Sequence, residues 1–348
     1  MNGYQRCVAA LKGEPHDRIP VMLHNFMTAA EEINITMGQF RESPRLIADA
    51  FIHSVGKYGL DGILIDIDTV TLAGSVGVRI DFPENTPARS HQGMLDSLED
   101  VKKLKPVHVE NYKYVQIWLE SVRLLKDYFS DEILVRGNCD QAPFSLASMI
   151  RGTEAWMMDL YMAEASLIKE LLEYCTDVTC QFIRLMAQTG AQMVSNGDSP
   201  AGPDMIPPEL YEQWALPYEK KVVDTAHELG LFYTLHICGN TDLILEHMVK
   251  TGADAFELDY KTDMYKAFDV LHDVATFTGN VDPSGVLALG TPEMVRDQTL
   301  ELLDLFSQTN RFILNSGCAL PARTPEKNLM AFVETAKSYN RDQGKGKK

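Results

Sequence analysis

Short apolar runs alternate with longer amphipathic stretches along almost the whole chain. Eight of the runs have the length and the β-branched or aromatic content of buried strands: 18–23, 61–69, 132–140, 191–199, 231–240, 255–260, 276–282 and 311–315. Between them, apolar residues recur three and four apart, the spacing of helices with one buried face, most clearly in EASLIKELLEYCTDVTCQFIRLMAQTG within 145–190. Further helices are expected over 1–17, 28–58, 97–129, 207–230, 242–251 and 326–339. Gly13 and Pro15 stop the first, and Thr324-Pro325 offers a cap and first-turn proline to the last. Cys175 and Cys180 fall on a helix and read as core thiols, and Met157, Met158 and Met162 read as packing.

This alternation belongs to the α/β class, and the strand count is that of a (β/α)8 TIM barrel. The expected organisation is a single domain over 1–340 with an N-terminal helical extension, an ordered insertion at 70–94 after the second strand, and a disordered basic tail at 341–348. Polar residues fall on one side of this plan. His24-Asn25, Asp66 and Asp68, Asn138 to Asp140, Asn196 to Ser199, His236 to Asn240, Glu257 to Asp259, Gly279 to Asp282 and Asn315 to Cys318 all close their strands. That is the rim on which such barrels build active sites. An open doubly wound sheet needs no eight repeats, and no G-x-G-x-x-G follows the first strand. P-loop, G-x-S-x-G and C-x-x-C motifs are also absent from the sequence.

Composition narrows the partners. Of the 348 residues 45% are apolar and 23% charged, the balance of a globular protein, and no run of eighteen apolar residues occurs. Without a secretory segment the expected location is cytoplasmic. A net charge of -17 disfavours nucleic acid and anionic membranes and leaves small molecules or other proteins as partners. The six cysteines show no disulfide framework, so they are expected as thiols or ligands.

The chemistry centres on LFYTLHICGN, Leu231 to Asn240. His236 and Cys238 are two apart on a strand, so imidazole and thiol point to one side just before Gly239 lets the backbone turn. Glu257 and Cys318 close two later strands. One His, two Cys and one carboxylate suit a tetrahedral Zn²⁺, with His236, Cys238, Glu257 and Cys318 as its ligands. The alternative is that a buried His or Cys is a satisfied core residue, and that Glu257 is a hydrogen-bond partner beside the metal. His24 and Asp198 are the expected catalytic side chains. Asn25, Asp66, Asp68, Asn196, Asn280 and Asp282 are the expected substrate contacts, against the alternative that they cap helices and loops.

Five segments, RIPV at 18–21, DGILIDIDT at 61–69, Asp198 through PPELYEQWALPYEKKV, GNVDPSGVLALGTPEMV at 279–295 and TPEKNLMAFVE at 324–334, resemble the uroporphyrinogen decarboxylase superfamily over nearly the whole chain. The decarboxylases themselves carry an arginine-bearing motif just after the opening and a Gly-His-Gly late in the chain. This sequence has Met22-Leu23-His24-Asn25-Phe26-Met27 and Ser316-Gly317-Cys318 instead. The H-x-C strand and the late cysteine are similar to the zinc-dependent methyltransferases that serve corrinoid proteins. The order His, Cys, Glu, Cys is also that of cobalamin-independent methionine synthases. The resemblance implies Zn²⁺ as cofactor and a methylcobamide carried by a partner corrinoid protein, since no D-x-H-x-x-G corrinoid motif occurs here. It also implies a small-molecule methyl donor or acceptor: a thiol such as coenzyme M, tetrahydrofolate, or a methoxylated or methylamine compound. The alternative it leaves open is a uroporphyrinogen decarboxylase-like lyase acting on a tetrapyrrole or other carboxylate.

Overall fold

In the computed structural model, which describes residues 1–340, seven parallel strands pair in chain order. They are β1 (Gly62–Ile65), β4 (Leu134–Gln141), β5 (Met193–Gly197), β6 (Phe232–Ile237), β7 (Ala255–Leu258), β8 (Thr276–Val281) and β9 (Phe312–Ser316). A two-stranded antiparallel hairpin, β2 (Ile80–Asp81) with β3 (Arg89–Ser90), lies in the insertion after β1. Long amphipathic helices such as Lys113–Phe129, Ala165–Ala187 and Pro292–Phe306 bury their apolar stripes against the outside of the sheet. Among the described residues no helix is long and apolar enough to cross a membrane. The expected tail at 341–348 lies outside the described residues.

The strand expected at 18–23 contracts to a single bridge, and the reason is chemical. Val21 pairs with Leu314 of β9: the Met22 N–H donates to Leu314 O, and the Leu314 N–H to Pro20 O, each at 2.9 Å. On the other side the Asp61 N–H donates to Val21 O at 2.9 Å. Pro20 has no N–H to extend the ladder, and the Val21 N–H is taken by the Asp61 carboxylate at 2.9 Å rather than by a strand carbonyl. This one rung joins β9 to β1 and closes the barrel.

The same carboxylate holds the N-terminal extension in place. Asp61 accepts from Arg6 Nη1 at 2.5 Å and from Arg18 Nη1 and Nη2 at 2.6 and 2.8 Å. The helix Gly3–Lys12 is started by an Asn2 capping box. It plugs the amino end of the barrel, packing Cys7, Ala10 and Leu11 onto Met22, Leu134, Met193, Ala255 and Ile313. Among the described residues this packing covers the amino end of the barrel, and the polar cavity lies at the end where the strands finish.

Two other expectations are adjusted. The helix foreseen over 28–58 is three helices, Phe26–Glu32, Met37–Glu42 and Pro44–Tyr58. Asn34 takes a left-handed conformation and Ser43-Pro44 restarts the chain with a capped turn. Thr324 does not cap the last helix, Glu326–Ser338; its hydroxyl donates to Pro321 O at 2.7 Å. The insertion is ordered as expected: Arg41 holds it by donating to the carbonyls of Pro83 and Thr86.

Asp61→Ala leaves two guanidinium groups facing a buried vacancy and removes the acceptor that aligns Val21. We expect it to cost roughly 3–5 kcal/mol in urea unfolding, the range for breaking a buried ion pair. A loss below about 1 kcal/mol would contradict the role given to this closure.

Candidate functional site

The carboxyl ends of the strands surround a cavity of about 300 Å³. His236 and Glu257 are register partners on β6 and β7, so their side chains lie side by side facing inward. Just past β6, Gly239 adopts φ 88° and turns the chain, as its position predicts; its N–H donates to Asp259 Oδ2 at 2.9 Å. Past β9, a Cβ on Gly317 would sit 2.5 Å from the Tyr260 backbone nitrogen. Only glycine permits that approach, and it delivers Cys318 to the same place as Cys238.

The three soft donors meet. His236 Nε2 lies 3.0 Å from Cys238 Sγ, Cys238 Sγ 3.7 Å from Cys318 Sγ, and Cys318 Sγ 3.9 Å from His236 Nε2. All three ligand atoms fall within 4.8 Å of one another. Bond lengths of about 2.3 Å to sulfur and about 2.0 Å to nitrogen imply tetrahedral edges near ~3.8 Å for S···S and ~3.5 Å for N···S. The observed triangle fits a tetrahedral zinc ion. Its ring is also oriented as a ligand should be: His236 Nδ1 bonds the Glu257 carbonyl at 2.8 Å, which turns Nε2 toward the sulfurs.

Without metal this cluster stores charge. The hydrogen bond from the Cys318 thiol, with His236 close by, holds Cys238 down to about 3 against the opposing effect of burial. Sharing that bond with the thiolate, and burial, push Cys318 far up. Burial works against a charged His236, but the Cys238 thiolate and Glu257 outweigh it and raise the ring to about 10. Two protons therefore have to leave before all three can ligate.

Glu257 sits beside this trio in a different arrangement from the expected fourth ligand. It is fully buried; Oε2 forms an ion pair with Arg136 Nη1 and Oε1 meets His24 Nδ1 at 3.2 Å. Burial favours its neutral form, but Arg136 and His24 overcome that and keep it ionised far below the usual carboxylate range. The nearer His236 nitrogen is 4.0 Å from Oε1. His24 continues the chain of charges: Nε2 meets Asp66 Oδ2 at 2.8 Å, and Asp66 Oδ1 accepts from Asn138 Nδ2 at 3.0 Å.

Of the other expected residues, His24, Asp66, Asp68 and Asn196 line the cavity. Asn196 is committed on both sides, donating to Cys139 O at 2.6 Å and accepting from the Tyr233 hydroxyl at 2.9 Å. Four expectations are corrected. Asn25 is fully buried and donates to Ser54 Oγ at 2.7 Å. Asp198, also fully buried, accepts the Ser145 N–H at 2.7 Å, and burial lifts it to about 6. Asn280 and Asp282 open onto a separate flank groove; Asn280 holds the carbonyls of Asp259 and Thr262, and Asp282 caps the turn at Ser284 and Gly285. Each of the four satisfies local backbone or a neighbouring side chain instead of reaching the cavity.

Sequence reasoning missed Arg136 and Gln141, and put Asn138, Asp140 and Ser199 on the rim without a role; all five line the cavity. A signal was present in β4: 136, 138 and 140 alternate, and a charge inside the apolar run EILVRGNCD has to find a buried partner. Ser199 Oγ accepts the Cys238 N–H at 3.3 Å.

His24 offers a direct check. Burial disfavours its charge, but the bonds to Asp66 and Glu257 raise it to about 9, so it is an imidazolium at neutral pH. A raised pKa stabilises the fold fully below the ordinary imidazole value of about 6.5 and ceases to do so as pH climbs through the folded value. The stability gap between the metal-free wild type and His24→Gln should therefore narrow between about pH 7 and about pH 10. Its ring nitrogen shifts should report a titration near 9. A ring that titrates near ~6.5 would contradict the ion chain.

Known proteins bear on this geometry. A family profile described as Uroporphyrinogen decarboxylase (URO-D) matches residues 3–339. The methylcobamide:CoM methyltransferase of Methanosarcina acetivorans is 31% identical over 344 residues, covering 96% of this chain and 97% of its own. Its counterpart in Methanosarcina mazei is 32% identical over 345 residues with the same coverage. The uroporphyrinogen decarboxylase of Prochlorococcus marinus is 29% identical over 352 residues, covering 95% of each chain. A solved methyltransferase from Methanosarcina mazei shares the fold, with a TM-score of 0.86 and 21% identity over 99% of both chains. The chain belongs to the uroporphyrinogen decarboxylase family.

Proposed function

We propose that this protein is a corrinoid-dependent methyltransferase that moves a methyl group between a cobamide carried by a separate protein and a small-molecule thiol. The observation that carries this reading is the His236, Cys238 and Cys318 triangle facing the cavity. The relatives named methylcobamide:CoM methyltransferases, matched over almost their whole length, support it. None of the six cysteines is in a disulfide, which suits a cytoplasmic setting.

His236, Cys238 and Cys318 would hold Zn²⁺. When bound, the metal supplies a substrate thiol with a coordination position at which the sulfur ionises near neutral pH while staying nucleophilic between soft thiolate ligands. The chain's own residues prepare that position. The Glu257 carbonyl fixes the His236 ring, and the Ser199 hydroxyl oxygen accepts the Cys238 N–H. The paired charges of Arg136, Glu257, His24 and Asp66 line the adjoining wall without leaving an uncompensated ion. In the transfer, a sulfur lone pair forms the C–S bond while the carbon–cobalt pair stays with the corrinoid. The thiol proton would pass to solvent when the sulfur binds, before the transfer. Alignment of sulfur, methyl and cobalt needs an open approach to the cavity, and with the N-terminal helix packed over the amino end the carboxyl-end mouth would provide it.

Decarboxylation of a tetrapyrrole is poorly served. Among the described residues Arg136 is the one Lys or Arg lining the cavity, and Glu257 already engages it, so the carboxylates of such a substrate would find no free guanidinium.

Purified protein is expected to carry about one zinc ion per chain by elemental analysis, and to demethylate methylcobalamin in the presence of a thiol. Cys238→Ala and Cys318→Ala should each lose the metal and lower turnover by more than ~100-fold while keeping the fold. Metal-free protein with undiminished turnover would refute the assignment.

A further inference from the structure

The loop that follows β5 lies along the strand end that carries His236 and Cys238. The Asp198 N–H donates to His236 O at 2.8 Å, and Ser199 Oγ accepts the Cys238 N–H at 3.3 Å. Gly202 completes the contact. A Cβ there would sit 3.0 Å from Ile237 Cγ2 and 3.4 Å from Cys238 O, so the absence of a side chain lets the loop lie this close. All three residues from 236 to 238 are therefore braced from the same side.

The loop is in turn held by the Asp198 side chain. Asp198 is fully buried, and its Oδ1 accepts the Ser145 N–H at 2.7 Å in the first turn of the helix Pro143–Arg151. A helix start presents unpaired N–H groups that favour an anion. Ala142, at the capping position of this helix, has no side-chain oxygen to meet them, so the cap comes from Asp198, 53 residues from its partner along the chain. Beside Asp198 stands Glu219, a second fully buried acid on the helix Leu216–Glu228. Glu219 Oε2 accepts the Tyr211 hydroxyl at 2.5 Å; burial and the neighbouring Asp198 push its carboxyl well above the usual carboxylate range, so it keeps a proton to offer Asp198.

We propose that Asp198 and Ser199 are positioning residues for His236 and Cys238: Asp198 pins the loop to the helix start, and the loop fixes the two ligand residues at the separation a metal ion needs. Asp198 does not line the cavity, so it acts on the site through the backbone it holds. Groups that orient ligands in this way govern metal affinity nearly as strongly as the ligands do. The assignment rests on the metal site of the methyl-transfer reading and adds to it the part of the chain that sets its geometry.

Three measurements on the full chain test it: zinc affinity by chelator competition, the ligand-field absorption of the cobalt(II)-loaded protein, and backbone amide exchange over 235–240 in the metal-free protein. Asp198→Ala removes the cap. It should lower zinc affinity roughly tenfold or more, shift the cobalt bands and cost residues 235–240 their exchange protection. Asp198→Asn keeps an acceptor oxygen for the Ser145 N–H and should restore all three readouts. Ser199 is half-buried, so Ser199→Ala keeps the fold; it should move the same readouts and decides the matter if Asp198→Ala does not fold. Asn328→Ala is the control. The fully buried Asn328 amide donates to Leu287 O and Gly290 O, away from this loop, and its loss should lower the unfolding midpoint while leaving the three readouts unchanged. If zinc binding responds as expected but no thiol is methylated, the positioning role stands and methyl transfer falls. If the wild type takes up no zinc, the metal reading falls and amide exchange still decides: protection lost in both alanine variants and kept in Asp198→Asn sustains the role. Readouts unchanged in both alanine variants, or moved as far by Asn328→Ala, overturn the proposal.

Discussion

The sulfurs of Cys238 and Cys318 lie 3.7 Å apart although they follow strands separated by two others in the sheet. Neighbouring strands are spaced by about 4.8 Å, so three steps along a flat sheet would part them by roughly 14 Å. Contact therefore requires the sheet to roll up and the chain after β9 to lean inward over its mouth. Closure through the Val21–Leu314 rung and the glycine at 317 supply these two conditions. The soft-donor site is a consequence of barrel curvature, and damage to the closing rung, which sits on the strand that delivers Cys318, should loosen it.

A second constraint is charge. Among the described residues the cavity lining holds the Cys238 thiolate, four acidic side chains, two histidines and one guanidinium, and unpaired ions buried there are expensive. Most of the set resolves into one chain, Arg136 to Glu257 to His24 to Asp66 to Asn138, which spans the interior and leaves His236 turned toward the sulfurs. Glu257 is best understood within this chain. Its backbone carbonyl orients His236 toward the two cysteines, and its carboxylate holds the charge of Arg136.

Much of the architecture was legible because it is periodic. Strand runs, helix stripes and the clustering of polar residues at strand ends are local patterns, and His236 with Cys238 is legible for the same reason, being two apart on one strand. The failures have physical causes as well. Pro20 and the Asp61 carboxylate disrupted an apolar run that otherwise reads as a strand. Arg136 finds its partner 121 residues away, which no local spacing reveals. Asn25, Asp198, Asn280 and Asp282 were assigned to the mouth because residues of their type at strand ends serve substrates and loop backbone alike, and here they bind backbone or neighbouring side chains.

The central claim is that two cysteines and one histidine hold a single metal with a position left for substrate. X-ray absorption at the zinc edge tests it most directly. The expected first shell is two sulfurs at about 2.3 Å and one nitrogen at about 2.0 Å, with a third sulfur joining when a thiol is added. A shell of oxygen and nitrogen alone, or one that a thiol leaves unchanged, would contradict it.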